Sequence, residues 1–469
     1  MTRACRSQHF RIGAVLLIAA GLSAGCSSLA TRRGFYDPVI ADVRTGDYEA
    51  AAAKLEVARE SGQYANKDRL LYFIDAGLAA YYAGDAQTSN EKLHLGETAA
   101  EELFTRSISR AAATVLLNDN VLEYAGEDYE ILYTNLIKAL NYLALGKFDD
   151  AFVEVRRANE KLELLELKYG DAVAALQEGI DKDSAGFGIS YEAARVRFHN
   201  DAFARYLSMH LYAADGKWDD ARIDYDLLRQ AFAVQPYVYG FPMPDVRYQS
   251  EEGAILSVVA VTGLAPRKEA LNLRLRTDKD LGLVQILYTD PQRKDTEYGH
   301  LPLDVRADYY FKFAIPVLVP RPSVVERIRI LAGTDPIGEL QLLEDVSSVA
   351  GETFDAKKTL MYIRAVARAV AKGLATHKLK EQSDTGGLEG WLKKLAIDAG
   401  ADLTENADLR SSQLLPGRVH VGDFDLAPGT YDITVEFYAA GDQLITRKRF
   451  PEFRVTRRGL NLIQAHLPN

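Results

Sequence analysis

The chain has 469 residues, a net charge of −10 and 48% hydrophobic residues, enough for two or three domains with sizeable cores. An acidic chain gains no electrostatic attraction to polyanions, so we expect no nucleic-acid partner. Because the sequence contains only two cysteines, Cys5 and Cys26, there is little scope for disulfides or thiolate metal sites.

The N-terminus has the pattern of an export signal. A basic start precedes the apolar stretch 12–20, which is too short to span a bilayer, and small residues lead to Cys26. A cysteine at this point resembles the signal of bacterial lipoproteins, which implies a signal peptide over 1–25 and lipidation of Cys26. Ser27 follows where an aspartate would imply inner-membrane retention, so the resemblance implies an outer-membrane anchor facing the periplasm. The alternative is a chance cysteine after an uncleaved anchor.

Cleavage before Cys26 would leave 53 basic and 66 acidic residues, a net charge of −13. Such a body would not bind anionic lipid by charge, so we expect the acyl chains on Cys26 to supply the membrane contact. Residues 26–38 are predicted to be a lipidated tether.

The first half of the chain repeats one pattern, in which a glycine ends an apolar helical run and a small residue follows five positions later. An aromatic residue stands two positions after the glycine in three of the four copies. The spacing between turns is irregular. The residues of these turns are Gly46, Tyr48, Ala51, Gly84, Gly146, Phe148, Ala151, Gly216, Trp218 and Ala221.

These turns resemble the tetratricopeptide helix–turn–helix repeat. The resemblance implies a right-handed stack of antiparallel helices over 39–235, whose surface binds envelope proteins. A generic helical bundle with the same turn chemistry is the alternative. Three prolines between Gln235 and Pro244 break any helix and mark the end of this domain.

The second half, 245–469, is predicted to be a strand-rich mixed domain with helices near 345–380 and 388–407, which makes the chain α+β overall. Predicted strands are typical β-branched runs separated by turn residues. The turn Ala427-Pro428-Gly429 predicts a hairpin between its flanking strands. The predicted strands are 254–261, 283–288, 311–319, 325–331, 418–424, 431–438, 443–449 and 452–456, and the C-terminal strands are expected to form a sandwich.

Three short stretches make the second half similar to a family of uncharacterised bacterial envelope lipoproteins that also carry tetratricopeptide-like repeats. The stretches are Gly263-Leu264-Ala265-Pro266-Arg267, Arg410-Ser411 with Leu415-Pro416, and Leu426-Ala427-Pro428-Gly429-Thr430-Tyr431. The resemblance implies an envelope location and no particular activity.

No catalytic pattern is recognised, so the chain is not expected to be an enzyme and no metal or cofactor is predicted. The eight histidines are scattered, and no Gly-x-Ser-x-Gly elbow is present. We therefore expect a lipid-anchored adaptor or assembly factor that binds other envelope proteins. Two alternatives stay open, a cell-wall or polysaccharide-processing enzyme and a subunit of an export or polymer-secretion complex.

Overall fold

The computed structural model describes residues 33–114, 122–164, 198–250, 253–278, 280, 283–289, 295–302, 310–355 and 407–469. Helices fill the first part of the chain and strands most of the second, so the predicted α+β class is confirmed. Cys26 and the signal peptide 1–25 lie outside the described residues, as do 356–380 and 388–406 of the two predicted helices.

The helical half is a succession of helices in which chain neighbours pack together. Asp47 and Asp201 each cap the first turn of a helix, because their carboxylates accept a hydrogen bond from the backbone N–H three residues later. The helices are α1 (Tyr36–Thr45), α2 (Tyr48–Glu60), α3 (Arg69–Tyr82), α4 (Ala86–Thr114), α5 (Asp128–Ala144), α6 (described over 148–164), α7 (Ala202–Ala214) and α8 (Trp218–Val234).

The folded body begins earlier than the sequence predicts, because α1 starts at Tyr36 and takes in the end of the predicted tether 26–38. Pro38 is compatible with this start, since a first-turn residue has no intrahelical N–H partner to lose. The Tyr36 hydroxyl donates a hydrogen bond to the buried carboxylate of Asp75 on α3, which fixes the first turn in place.

The strands within the described residues form three four-stranded sheets. Those predicted at 254–261, 283–288, 311–319 and 325–331 are present with modest shifts of their ends. The central sheet has the order β12-β1-β9-β8, the outer sheet β11-β10-β6-β7 and the third sheet β4-β3-β2-β5. The strands are β1 (Ala254–Leu264), β2 (Arg267–Asp278), β3 (Leu283–Thr289), β4 (Asp295–Pro302), β5 (Tyr310–Val319), β6 (Arg327–Ala332), β7 (Asp335–Glu339), β8 (Gln341–Asp345), β9 (Pro416–Leu426), β10 (Gly429–Ala439), β11 (Gln443–Val455) and β12 (Leu462–Leu467).

The central sheet is the middle of three layers, and β1 shows why. Alternate residues of a strand face opposite sides. Val258 on one face packs with Val435 of the outer sheet, and Val259 on the other packs with the helices. The strand is therefore buried on both faces, which explains its mostly apolar sequence, in which the only polar side chains are those of Ser257 and Thr262. The two halves of the chain share a core, and the proline-rich break near 235 does not separate independent bodies.

The structure corrects three predictions in the strand half. The turn at Pro428 does not close a hairpin, because β9 belongs to the central sheet and β10 to the outer sheet, so the turn links two layers. The strands predicted on either side of Pro451 are one strand, β11, which tolerates the proline because it lies at a sheet edge. Five strands lie outside the predicted ranges, namely β2, β4, β7, β8 and β12. In β2, Leu271, Leu273 and Leu275 alternate with polar residues, which is the pattern of a half-buried strand. A helix starts at 346, close to the predicted start at 345.

Candidate functional site

Residues 408–415, which we call the clasp segment, pack against α3 and the start of α5. The Ser412 hydroxyl donates to Asp75 at 2.8 Å, and its backbone N–H donates to Glu130 at 2.6 Å. The guanidinium of Arg410 binds Asp68 at 2.7 Å, and the Tyr82 hydroxyl donates to the carbonyl of Leu414 at 2.8 Å. This part of the helical surface is occupied, although the sequence assigned the surface to partner proteins.

We call the contact between the clasp segment and the helices the seam. Burial is the main cause of the pKa shifts of two of its carboxyl groups. It raises the pKa of Asp75 to about 6, although hydrogen bonds from Tyr36, Ser412 and Tyr64 oppose the change. It also raises the pKa of Glu130 to about 7, assisted by the negative charge of Glu127. Both carboxyl groups are completely buried and hydrogen-bonded within the chain, so the seam holds the two halves together and leaves no room for a ligand.

A second contact between the two halves is open. Here the α3–α4 and α5–α6 turns face the ends of β11 and β12 across a cavity of about 280 Å³, which we call the aromatic cleft. None of the described residues that line it is acidic, so it lacks the clustered carboxylates that a polysaccharide-processing site uses. The lining consists of Tyr81, Gly84, Ala86, Asn141, Leu143, Ala144, Phe148, Phe450, Phe453, Leu460, Leu462, Ile463, Gln464 and His466.

One wall of the aromatic cleft is β12, whose outer edge pairs with no other strand in the described parts of the chain. This strand is the end of the central sheet and pairs in parallel with β1. The Ser257 N–H donates to the carbonyl of Asn461. In a parallel pair, every second residue of a strand forms backbone hydrogen bonds with the neighbouring strand, so residues 461, 463 and 465 are the ones bonded to β1. The backbone groups of Leu462, Gln464 and His466 therefore point away from β1, and these three residues line the cleft.

His466 closes one end of the aromatic cleft against the helices. Its ring lies 5.2 Å from that of Tyr48 and 5.5 Å from that of Tyr82, measured between centroids. Burial lowers its pKa to about 4, and the positive charge of Lys448 acts in the same direction. The imidazole is thus neutral at neutral pH, and the cleft wall carries no charge there.

Lys448 stands beside this end of the cleft. Its ammonium nitrogen lies 5.6 Å from the centroid of the Tyr48 ring, and burial lowers its pKa. Among the described residues no carboxylate lies within ion-pair distance of it, in contrast to Arg447, which binds Glu436. A half-buried cation without an anion favours the arrival of a negative group.

Some of the turn residues singled out from the sequence are buried and have a structural role, and others are exposed. The four turn glycines all have positive φ, which only glycine adopts easily. The small residues pack in the helical core, whereas two of the aromatic residues are open to solvent, Phe148 at 43% and Trp218 at 51% exposure. The glycines are Gly46, Gly84, Gly146 and Gly216, and the small residues are Ala51, Ala151 and Ala221.

The structure brings some of these residues together at the aromatic cleft. Gly84 and Phe148 line it, and Tyr48 contacts His466 at its end. Trp218 and Ala221 lie on α8 and are not part of the lining. The sequence did not reveal that the first three turns meet an edge strand, because that neighbour comes from the far end of the chain.

A serine, a histidine and an aspartate that the sequence analysis did not connect meet between α7 and the central sheet. The Ser257 hydroxyl lies 3.4 Å from Nδ1 of His210, and Nε2 of His210 lies 3.1 Å from Asp423. The second approach lacks hydrogen-bond geometry, and Ser257 is only 1% exposed. A nucleophile must reach its substrate. The trio therefore serves to join helix and sheet, since Asp423 also accepts from Tyr206 at 2.9 Å.

A buried ion cluster joins α4, α5 and α6. Lys138 is 1% exposed and lies 2.7 Å from Glu97 and 2.9 Å from Glu154, and the Asn135 amide donates to both carboxylates. The pKa of Glu97 is far below its usual value because the charges of Lys161 and Lys138 outweigh burial. Every charge in this cluster has partners, so it fixes helix positions and offers no binding site.

The described part of the chain contains no group of three or more histidine, cysteine, aspartate or glutamate residues that could hold a metal ion. Among the described helices, none combines the length and the apolar character needed to cross a bilayer. Comparison of the chain with protein-family models, curated proteins and solved structures gives no match.

Proposed function

We propose that the chain is a lipid-anchored envelope protein that binds other envelope proteins and acts as an adaptor or assembly factor on the periplasmic side of the outer membrane. The N-terminal pattern supports the location, since basic residues, an apolar stretch and Cys26 follow one another as in lipoprotein signals. A lipid at Cys26 would hold the body close to envelope partners and strengthen weak binding through effective concentration.

We also propose that the helical half is a tetratricopeptide-like repeat. Four helix ends with positive-φ glycines, buried small residues five positions later and packing between successive helices support this interpretation. The clasp segment then takes the place that a bound peptide has in such repeats, which leaves the outer turns as the surface for partners.

The observation that carries the proposed function is the aromatic cleft. It is mostly apolar, it is open to solvent, and it combines an exposed phenylalanine with a strand edge that has no paired strand among the described residues. Exposed apolar surface beside a free edge is typical of protein-binding sites, because both gain free energy from a partner chain.

Photo-crosslinking in intact cells tests this function. A photoreactive phenylalanine analogue replaces Phe148 in the full-length chain, and a matched strain carries it at Trp218. Both positions follow a turn glycine by two residues and are similarly exposed, but only Phe148 lines the cleft. We expect one stoichiometric protein adduct from position 148 and none from 218. Equal adducts at both positions, or none at either, would overturn the proposal.

The location has its own test. Mass spectrometry of the chain isolated from the membrane fraction is expected to show an acylated Cys26 as the first residue. A Cys26→Ser variant should lack the acyl chains and keep its N-terminal signal. A chain that starts at Met1 in the soluble fraction would contradict the envelope location and leave the binding site to be judged separately.

A further inference from the structure

We propose that an extended segment of a partner protein adds to the free edge of β12, with apolar side chains in the aromatic cleft and a carboxylate beside Lys448. This inference rests on the proposed function, because it defines the chemistry of the partner that an adaptor would bind.

The backbone of β12 selects an extended peptide. The N–H and C=O groups of Leu462, Gln464 and His466 point away from β1, and these three residues line the cleft. An added strand would satisfy them through ladder hydrogen bonds, whereas an acyl chain or an apolar small molecule has no groups to do so. The edge therefore favours a polypeptide over a lipid.

The size of the cleft agrees with side chains as its contents. Its volume of about 280 Å³ is just below the roughly 300–1,000 Å³ of typical small-molecule sites. Phe148 from the helical half faces Phe450 and Phe453 from β11 across this space. Aromatic rings on both sides favour aliphatic or aromatic side chains, which an extended segment presents at alternate positions.

Charge specifies the remaining feature of the peptide. Lys448 is half-buried beside the His466 end of the cleft and, within the described residues, has no carboxylate at ion-pair distance. An aspartate, a glutamate or a C-terminal carboxylate next to the apolar residues would supply the missing anion. The same cation disfavours a basic segment in this position.

A phage-displayed library of random octapeptides, selected on the purified mature chain, is the direct probe. We expect enriched peptides to share alternate apolar residues and an acidic group at one end. Synthetic peptides should bind with about tenfold lower affinity to a Lys448→Met variant. A peptide whose acidic residue is replaced by the corresponding amide should lose the same affinity for the wild-type chain. It should bind the Lys448→Met variant no more weakly than the acidic peptide does. Lys217→Met, which removes an exposed lysine paired with Asp215 on a distant turn, is the control and should bind normally.

Hydrogen exchange then tests the binding mode. A bound peptide should slow the exchange of the backbone amides of Leu462, Gln464 and His466, because these donate to the added strand. The inference would be overturned if the selection gave no enrichment above that on a Phe453→Ser variant whose circular dichroism is unchanged. It would also be overturned if the peptides bound equally well without Lys448, or if they bound without protecting these amides.

The outcomes separate this inference from the proposed function. If peptides bind as described but no adduct forms at position 148 in cells, the edge is competent and the adaptor function fails. If an adduct forms but its crosslinked segment is helical or basic, the adaptor function stands and the peptide chemistry is wrong. Self-association of the Lys448→Met variant through β12 would show that the lysine only blocks edge pairing, which also overturns the inference.

Discussion

The two contacts between the helical and strand-rich halves differ in chemistry. At the seam, buried carboxylates of α3 and α5 receive hydrogen bonds from the clasp segment. At the aromatic cleft, phenylalanine side chains border an open cavity, and the outer edge of β12 has no strand partner within the part of the chain that the structure describes. The polar groups of the seam are already hydrogen-bonded, so this contact stabilises the fold and has nothing to offer a partner. The apolar surface and the strand edge of the aromatic cleft can still be buried and hydrogen-bonded by another chain.

The largest expected effect comes from breaking the seam at Arg410. An Arg410→Ala substitution should lower the free energy of unfolding by about 3–5 kcal/mol, because buried Asp68 and Asp408 would lose their guanidinium. Urea denaturation of the purified chain measures this. Arg449→Ala, on the exposed side of β11, is the control and should stay within about 0.5 kcal/mol. If Arg410→Ala and Arg449→Ala lowered the free energy of unfolding equally, the stabilising role of the seam would be refuted.

A neutral isostere at Glu130 tests the electrostatics of the seam. Burial raises the pKa of Glu130 to about 7, so the folded chain keeps a proton that the unfolded chain releases. The resulting stability is complete below the ordinary pKa and is lost as pH rises through 7. The difference in free energy of unfolding between the wild type and Glu130→Gln should therefore decrease by about 3 kcal/mol between pH 5 and pH 8. A gap that is independent of pH would count against this account.

The aromatic cleft should respond to pH in the opposite direction. Burial lowers the pKa of His466 to about 4, so the unfolded chain takes up a proton below 6.5 that the folded chain refuses. Stability from the neutral ring is lost as pH falls from about 6.5 toward 4. The difference in free energy of unfolding between the wild type and His466→Asn should decrease by about 2 kcal/mol between pH 7 and pH 5. Chemical denaturation at both pH values measures it, and a gap that widens on acidification would contradict the prediction.

The smallest effect on folding is expected at Phe148, where the effect on binding should be large. Phe148→Ser should change the free energy of unfolding by about 0.5 kcal/mol, because the ring is 43% exposed. Binding of a selected octapeptide should fall about tenfold, since an aromatic wall of the cleft is lost. Trp218→Ser should change stability to a similar extent and leave peptide binding intact. Loss of binding in both variants would point to a general disturbance of the helical half.

The sequence predicted the features that depend on local chemistry. The apolar run of β1 and the turn glycine Gly146 are found in the expected conformations, because strand burial and positive φ leave signals within a few residues. The Pro428 turn shows the limit. It joins two strands as expected, but whether they pair depends on their partners elsewhere, and they do not pair with each other.

Neither contact between the halves was predictable from the sequence. Ser412 and Asp75 are 337 residues apart, and an aspartate within a helix normally reads as exposed. The aromatic cleft likewise joins Phe148 to residues at the end of the chain. Arg410 and Leu415 were noted in the sequence, and both lie in the clasp segment, but nothing local to them indicates which helices they contact.

Amide hydrogen exchange of the chain in the membrane to which the proposed lipid would anchor it, compared with the purified chain, tests the contrast most directly. We predict that the amides of Gln464 and His466 exchange more slowly in the membrane, where a partner is available. The amides of Ser412 and Gln413 should be equally protected in both preparations, because the chain itself satisfies them. Unchanged exchange at β12, or protection that appears only at the clasp segment, would contradict the account.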